Sequence, residues 1–552
     1  MSVFEKGPSV EKVISGGSLT FILAMLGGVF AWIFGVIFTR ADIGLGKEAY
    51  GIYITGISII TVISCVTWGI NQSIQKYVAE YLIIDKTKAE LYARNGTIAI
   101  LLIGSVICGI CITLGIIYFP YDSILGLLLI LIGISVIFIS IKDGIIGNIA
   151  ALQRFDYIAV INACLSLGTF IIGIPIILFI VKPLGYPAFL QLVPLTILGT
   201  SLGYIIQIIL ALYYGHKCLP YSLVHLYRGP KNKHIMGTVI KYGLYCTIPT
   251  IILSGTILWI PALLISGILG PTAPGLYGLI LGYATVMLTI SFMGWPMISA
   301  VSEAHALKDQ KLIDDYFRNN FKSSFNLIAL FLVIYIGLSK FILTIFHGSE
   351  YVYGQVPFII LAVGVSILAL EFISCTIVIG VGEGRKASFV FISITLIEIV
   401  LTILFLFIFP IGSVSFAAPS AVLISSLVIF PFIPKLLKPY TTVPIPWDNL
   451  VKGIISIIIS IGIVYLIDTF IFSFMSISGI IIGILILAGV YIFSMLLLAG
   501  FSDEDLEMIY SSLETFKIGF LKPLVQVGEK IIHKSPFYKK EPIRDSENGE
   551  KI

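Results

Sequence analysis

In TWGINQSIQKYVAEY, residues 67–81, the side chains of Trp68, Asn71, Gln72, Gln75, Lys76 and Ala79 recur at three- and four-residue steps. That spacing puts them in one stripe down a helix. Amide and ammonium groups in such a row can line a wet cavity and bind a polar or anionic solute. The plainer role is a helix end emerging into water, which accounts for Lys76 and Glu80 but less well for Asn71, Gln72 and Gln75. Lys142 and Asp143 stand together near the end of another apolar run. They pair with each other, snorkel, or present Lys142 to a substrate. Arg40 closes the first apolar run and is either a substrate contact or a headgroup anchor. Glu371 and Glu398 lie inside later apolar runs, where ionisable groups are costly and usually functional. Each is a site for a coupling proton or sodium ion, or the mate of a cation such as Lys340.

These residues do not make an enzyme. GLGK at Gly44–Lys47 is not a phosphate-binding loop, because the motif's first glycine would fall at Ala41. The six histidines have no metal-ligand spacing, and no nucleophile stands beside a base. Six of the seven cysteines lie in apolar segments and Cys218 in a loop, so packing explains them better than a disulfide framework or a metal. No catalytic residue, metal site, cofactor or nucleic-acid partner is expected.

The elements that carry the polar residues are apolar to an unusual degree. The chain is 58% hydrophobic and 12% charged, with a mean hydropathy of +1.05, whereas soluble domains are about a quarter charged. Runs long enough to cross a hydrocarbon core of about 30 Å recur from end to end. They predict an all-α polytopic membrane protein with fourteen transmembrane helices, at about 18–39, 51–74, 96–118, 124–147, 159–181, 190–214, 242–269, 275–300, 324–346, 353–381, 388–409, 413–433, 451–470 and 478–500. With both termini in the cytoplasm, the inner side collects thirty of the 34 Lys and Arg, leaving Arg40, Lys47, Lys182 and Lys340 outside. That bias sets the orientation, in the cell membrane.

The chain repeats itself. Gly28, Trp32, Tyr50, Gly51 and Trp68 match Gly255, Trp259, Tyr277, Gly278 and Trp295 at a spacing of 227 residues, and DKTKAELYARN (Asp85–Asn95) matches DQKLIDDYFRN (Asp309–Asn319) at 224. Both copies begin on the same side, so the halves run in the same direction, with the substrate path expected between them. The expected organisation is an N-lobe of six helices (1–215), a basic cytoplasmic linker (216–241) and a C-lobe of six (242–440). Two appended spans (441–501) and a cytoplasmic tail (502–552) follow. Pro175, Pro249, Pro261, Pro296 and Pro357 interrupt spans, as hinges or as ordinary bends. In the tail, Ser502 opens a helix on which Leu506, Ile509, Leu513, Phe516 and Phe520 form an apolar face for the inner membrane surface. The last dozen residues are expected to be disordered.

Five short motifs resemble one family. LGKEAYGIY (Leu45–Tyr53), the run ending in YVAEY, WPMISAVSEAHALKDQ after residue 294, ALQRF (Ala151–Phe155) and GEGRK (Gly382–Lys386) are similar to turns of oligosaccharide-repeat-unit flippases. These polysaccharide-biosynthesis proteins belong to the multidrug/oligosaccharidyl-lipid/polysaccharide (MOP) exporter superfamily. The resemblance covers about residues 10–500 and implies two bundles that move a lipid-linked oligosaccharide from the inner to the outer leaflet by alternating access. Such a substrate carries phosphate or pyrophosphate, so a cationic cavity is expected; by topology Lys76 and Lys142 would be its inner station and Arg40 the outer one, with Asn71 and Gln75 as further substrate-binding candidates lining the cavity. Membrane lipids are the other expected partners. The alternative is a cation-coupled multidrug or small-molecule exporter of the same fold, which Glu371 and Glu398 keep open.

Overall fold

A computed structural model describes residues 10–40, 44–185, 188–228, 231–251, 257–269, 274–291, 294–408, 416–470, 474–515, 519 and 522–538. Every regular element among them is helical. The first six main helices are α1 (Val10–Thr39), α2 (Gly46–Ile84), α3 (Lys86–Tyr118), α4 (Ser123–Ala151), α5 (Phe155–Pro175) and α6 (Ile197–Cys218). A short α7 (Leu223–Tyr227) leads to α8 (Lys233–Ile251), α9 (Ile257–Leu269), α10 (Pro274–Ser291), α11 (Trp295–Ala306) and α12 (Gln310–His347). Then come α13 (Gln355–Gly380), α14 (Gly384–Ile408), α15 (Ala417–Ile429) and α16 (Ile433–Leu437). The chain closes with α17 (Trp447–Phe470), α18 (Ile477–Leu497), α19 (Asp503–Thr515) and α20 (Lys522–Lys534).

Twelve stretches among the described residues are long and apolar enough to cross a membrane, from Glu48–Ile84 to Ile477–Leu497, and Met25–Thr39 is a shorter apolar helix. The chain is a multi-pass membrane protein. The seventh expected span runs across residues 252–256, outside the described residues, with α8 and α9 on either side. In such a bundle each backbone polar group must be satisfied within its own segment, which is why helices carry the fold.

The chain divides into two compact units. The first comprises Met1–Ser324 and Ser339–Pro444, and the second Phe325–Leu338 with Ile445–Ile552. In the first unit, small residues let backbones approach closely. A Cβ added at Gly69 would lie 2.5 Å from Thr247 Cα, so α2 and α8 meet where any side chain would force them apart. α5 and α6 meet in the same way, with the position of a Gly168 Cβ 2.5 Å from Gly203 Cα.

Local chemistry repeats with the sequence. Asp85 caps α3 by accepting from the amides of Thr87 and Lys88, and Asp309 caps α12 by accepting from Leu312. Just inside each cap, the motif clamps a later segment. Arg94 donates from Nε to His225 O at 2.8 Å and Asn95 Oδ1 accepts from Asn232 N at 2.9 Å. In the second copy Asp314 accepts from Thr441 Oγ1 at 2.7 Å and Thr442 N at 3.0 Å. The ALQRF and GEGRK turns also match. α4 ends with Gln153 at φ 56° and Arg154 N donating to Ile149 O, and α13 ends with Gly382 at φ 97° and Glu383 N donating to Val378 O. Both are six-to-one helix-terminating turns with a left-handed residue.

The prolines behave differently from one another. Pro175 leads directly into a π-helical turn, Ile176–Val181, and Pro261 lies inside α9. Pro296 opens α11 and Pro357 falls in the first turn of α13, so neither kinks a helix interior. The side chain of Pro249 is outside the described residues.

In the second unit, Asn449 Nδ2 donates to Asn326 Oδ1 at 3.0 Å, and Tyr491 Oη donates to Asn326 O at 3.4 Å. In the tail, α19 and α20 are the described helices. Asp505 Oδ2 accepts from Ser502 N and Oγ, so the expected start of α19 is there. Leu506 and Leu513 are buried within the protein, and Phe516 and Phe520 lie outside the described residues, as do the final residues from 539. Tyr510 Oη donates to Glu529 Oε2 at 3.0 Å, tying α19 to α20.

Candidate functional site

In the polar stripe of α2, Asn71, Gln72 and Gln75 are all buried inside the first unit. It is not simply a helix end in water. Asn71 Nδ2 donates to Asp143 O at 2.7 Å, while its Oδ1 has no partner among the described residues. Gln75 reaches across to α11, donating from Nε2 to Ser299 Oγ at 3.4 Å. These amides join helices, and the open Asn71 oxygen leaves an acceptor facing inward.

The cations near the stripe are paired at short range. Lys142 Nζ lies 2.9 Å from Asp143 Oδ1, and the other carboxylate oxygen accepts from Thr67 Oγ1 at 2.7 Å. The local pair that the sequence allowed is formed. Lys76 Nζ is 2.5 Å from Glu80 Oε2 and 4.1 Å above the Tyr77 ring. A carboxylate and an aromatic face supply what an anionic substrate would otherwise offer it. A phosphate at either lysine therefore meets a cation whose charge is already balanced by a neighbouring carboxylate, and a buried pair is expensive to break.

Glu371 on α13 and Glu398 on α14 are the opposite case. Both residues are 0% exposed, and none of their four carboxyl oxygens has a hydrogen-bond partner among the described residues. The expected mate is absent, since Lys340 is exposed and forms no ion pair with either. One turn beyond Glu398, Thr402 Oγ1 is also buried without a partner, which gives that face of α14 two open oxygen ligands four residues apart. A charged carboxylate in such surroundings costs several kcal/mol. A bound proton or a coordinated cation offsets that cost.

Two polar seams hold the first unit at its two ends. At the end expected to face the cytoplasm, Gln153 Nε2 donates to Glu303 Oε2 on α11. At the other end, Trp32 Nε1 donates to Tyr283 Oη at 2.9 Å, Tyr283 Oη lies 2.9 Å from His347 Nε2, and His347 Nδ1 lies 3.0 Å from Thr39 Oγ1. That series links α1 to α10 and α12, and Arg40 follows Thr39 at the helix end. The sequence had singled out Arg40 and the repeated Trp32 but neither Tyr283 nor His347. A lone histidine at a helix end carries no spacing signal. Gln153, Glu303 and Thr67 were missed for the same reason: their partners are 76 to 150 residues away.

No protein-family model and no curated protein matches the chain. Solved structures do. A crystal structure of MATE in complex with MaL6 superposes with a TM-score of 0.64 at 12% identity, over 79% of this chain and 98% of that one. An outward-facing multidrug resistance MATE family transporter of the MOP superfamily gives 0.62 at 12% identity over 79% and 98%. An inward-facing one gives 0.56 at 12% identity over 78% and 98%. At such identities the likeness is one of fold. The architecture of this chain is that of the MATE transporters of the MOP superfamily, with about a fifth of its length beyond the matched part.

Proposed function

We propose that the protein is an alternating-access exporter in which Glu371 and Glu398 bind a coupling proton or sodium ion. The observation that carries this reading is the pair of fully buried carboxyl groups with no hydrogen-bond partner among the described residues. Fourteen spans in two same-direction halves, with both termini in the cytoplasm, complete the reading. Likeness to transporters solved in both inward- and outward-facing forms supports a rocking cycle. The exported molecule is a small amphiphile, because the inner lysines are already neutralised by Asp143 and Glu80.

A second substrate reading, a lipid-linked oligosaccharide, has two observations of its own. The sequence motifs resemble the flippases, and the chain carries a second unit while the MATE chains are matched almost end to end. In that reading Asn71, Gln75, Lys76 and Lys142 receive the phosphate, which exchanges for the paired carboxylates, and Arg40 releases it. Proteoliposomes containing the full chain separate the two. Gradient-driven movement of a fluorescent amphiphilic cation supports the small-molecule reading. Movement of a polyprenyl-pyrophosphate oligosaccharide between leaflets, with no movement of the amphiphile, replaces it with the flippase.

A further inference from the structure

The bonds around His347 fix where its protons are. Thr39 Oγ1 donates within its own helix, to Gly35 O at 2.9 Å and Val36 O at 3.3 Å. With its hydrogen in one of those bonds, the oxygen is left to accept from His347 Nδ1 at 3.0 Å. Nδ1 therefore carries the ring proton, and in a neutral imidazole Nε2 is then the acceptor. Tyr283 Oη fills that role as donor, and it accepts in turn from Trp32 Nε1. The series runs in one direction on each side of the ring: Trp32 to Tyr283 to Nε2, and Nδ1 to Thr39 to the α1 backbone.

A second proton on the ring cannot enter this series without reversing part of it. With hydrogen on Nε2, the imidazolium points a donor at an oxygen already receiving Trp32, and Tyr283 must turn its own hydrogen away. The surroundings also oppose the charge. His347 is 7% exposed, and Arg40, just after α1, is within electrostatic reach. Tyr351, in the turn after α12, packs against the ring at 5.8 Å between centroids. Tyr283 on α10 is 5.5 Å from Phe358 of α13, and on α2 Tyr50 is within reach of Tyr283 and Tyr351. Glu48 is on the first turn of α2. Asp42 and the side chain of Glu350, the other acids close in sequence, are outside the described residues.

We infer that His347 is a proton-binding site whose occupancy opens the seam between α1 and the α10–α12 side of the first unit. The closed seam requires Nε2 without hydrogen. Closure is therefore complete at high pH and lost as pH falls through the range where the ring takes up its second proton. The site is separate from Glu371 and Glu398 and does not depend on what is exported.

The test uses the full chain in lipid nanodiscs without substrate. Spin labels attached through a ketone-bearing amino acid at Tyr121 and Val356, both exposed, report the separation of the two sides by pulsed dipolar spectroscopy. Between about pH 8 and about pH 3.5, a range extended to the acid side of ordinary histidine titration because the surroundings oppose the charge, the long-distance population should rise several-fold in the parent. His347→Gln keeps an uncharged acceptor and donor and should hold the short distance at both values. Tyr283→Phe removes the hydroxyl and should lengthen the distance even at high pH. Nitrogen-15 histidine spectra of the parent, assigned by loss of a signal in His347→Gln, should show the Nδ1-protonated form at high pH. A parent distribution that ignores pH, a His347→Gln variant that opens like the parent, or an Nε2-protonated tautomer at high pH overturns the assignment. Because no substrate is present, a failed transport assay leaves this result untouched.

Discussion

Gln153, the left-handed residue that ends α4, donates its side-chain amide to the carboxylate of Glu303 on α11. One residue thus ends a helix and spans the seam opposite the His347 end. A hydrogen bond to a charged group is worth about 1.5–3 kcal/mol, enough to shift a seam equilibrium by tenfold or more. Gln153→Gly relieves the positive φ of 56° and so should fold well, but it deletes the bond. A cysteine at Ser299, buried nearby, should then react with a thiol reagent about tenfold faster than in the Gln153 parent. Equal rates would mean that the seam is held by other contacts.

The Lys142–Asp143–Thr67 cluster predicts strongly non-additive variants. Removing one member of a buried pair leaves an uncompensated charge, at a cost of about 3–5 kcal/mol, whereas removing both is often close to neutral. Asp143→Asn should therefore lower the thermal midpoint in detergent far more than Asp143→Asn combined with Lys142→Met. Additive effects would show that the two side chains do not depend on each other.

Gly69 and Gly28 are both small residues in the repeated region, yet only one is needed for packing. A Cβ at Gly69 meets the α8 backbone at Thr247, while one at Gly28 meets nothing within 4 Å. Gly69→Ala should cost about 1–3 kcal/mol through overpacking, and Gly28→Ala should be neutral or slightly stabilising. Thermal unfolding of the two purified variants decides this. Equal midpoints would contradict the close α2–α8 approach.

What could be read from the sequence follows the range of the interactions. The all-helical membrane class came from apolar run length, a local property. The repeat aligns Asp85 with Asp309, and both are N-caps that act on amides only two or three residues ahead, although in sequence the repeat signals only duplication. The start of the tail helix at Ser502 is legible because its cap is equally local. Lys142 and Asp143 were recognised as a potential pair because they are neighbours. Thr67, 76 residues away, was not. The His347 series was invisible, being assembled from α1, α10 and α12, whose residues show no shared pattern. Glu371 and Glu398 stood out as acids in apolar runs. Their lack of hydrogen-bond partners among the described residues, and the exposure of Lys340, depend on packing that periodicity does not encode.

The orphan carboxyls carry the central claim, and gradient-driven export measures it. Parent, Glu371→Gln and Glu398→Gln proteins of matched abundance and thermal midpoint are reconstituted in liposomes. Movement of a fluorescent amphiphilic cation is then followed with and without an imposed proton or sodium gradient. Glutamine keeps the shape of the side chain but cannot load a proton or balance a cation. The parent should accelerate at least several-fold when the gradient is applied, and at least one glutamine variant should move the probe at the same slow rate with or without it. A parent that responds to the gradient while both variants respond equally well would contradict the assignment of Glu371 and Glu398 as coupling sites and leave them as structural residues.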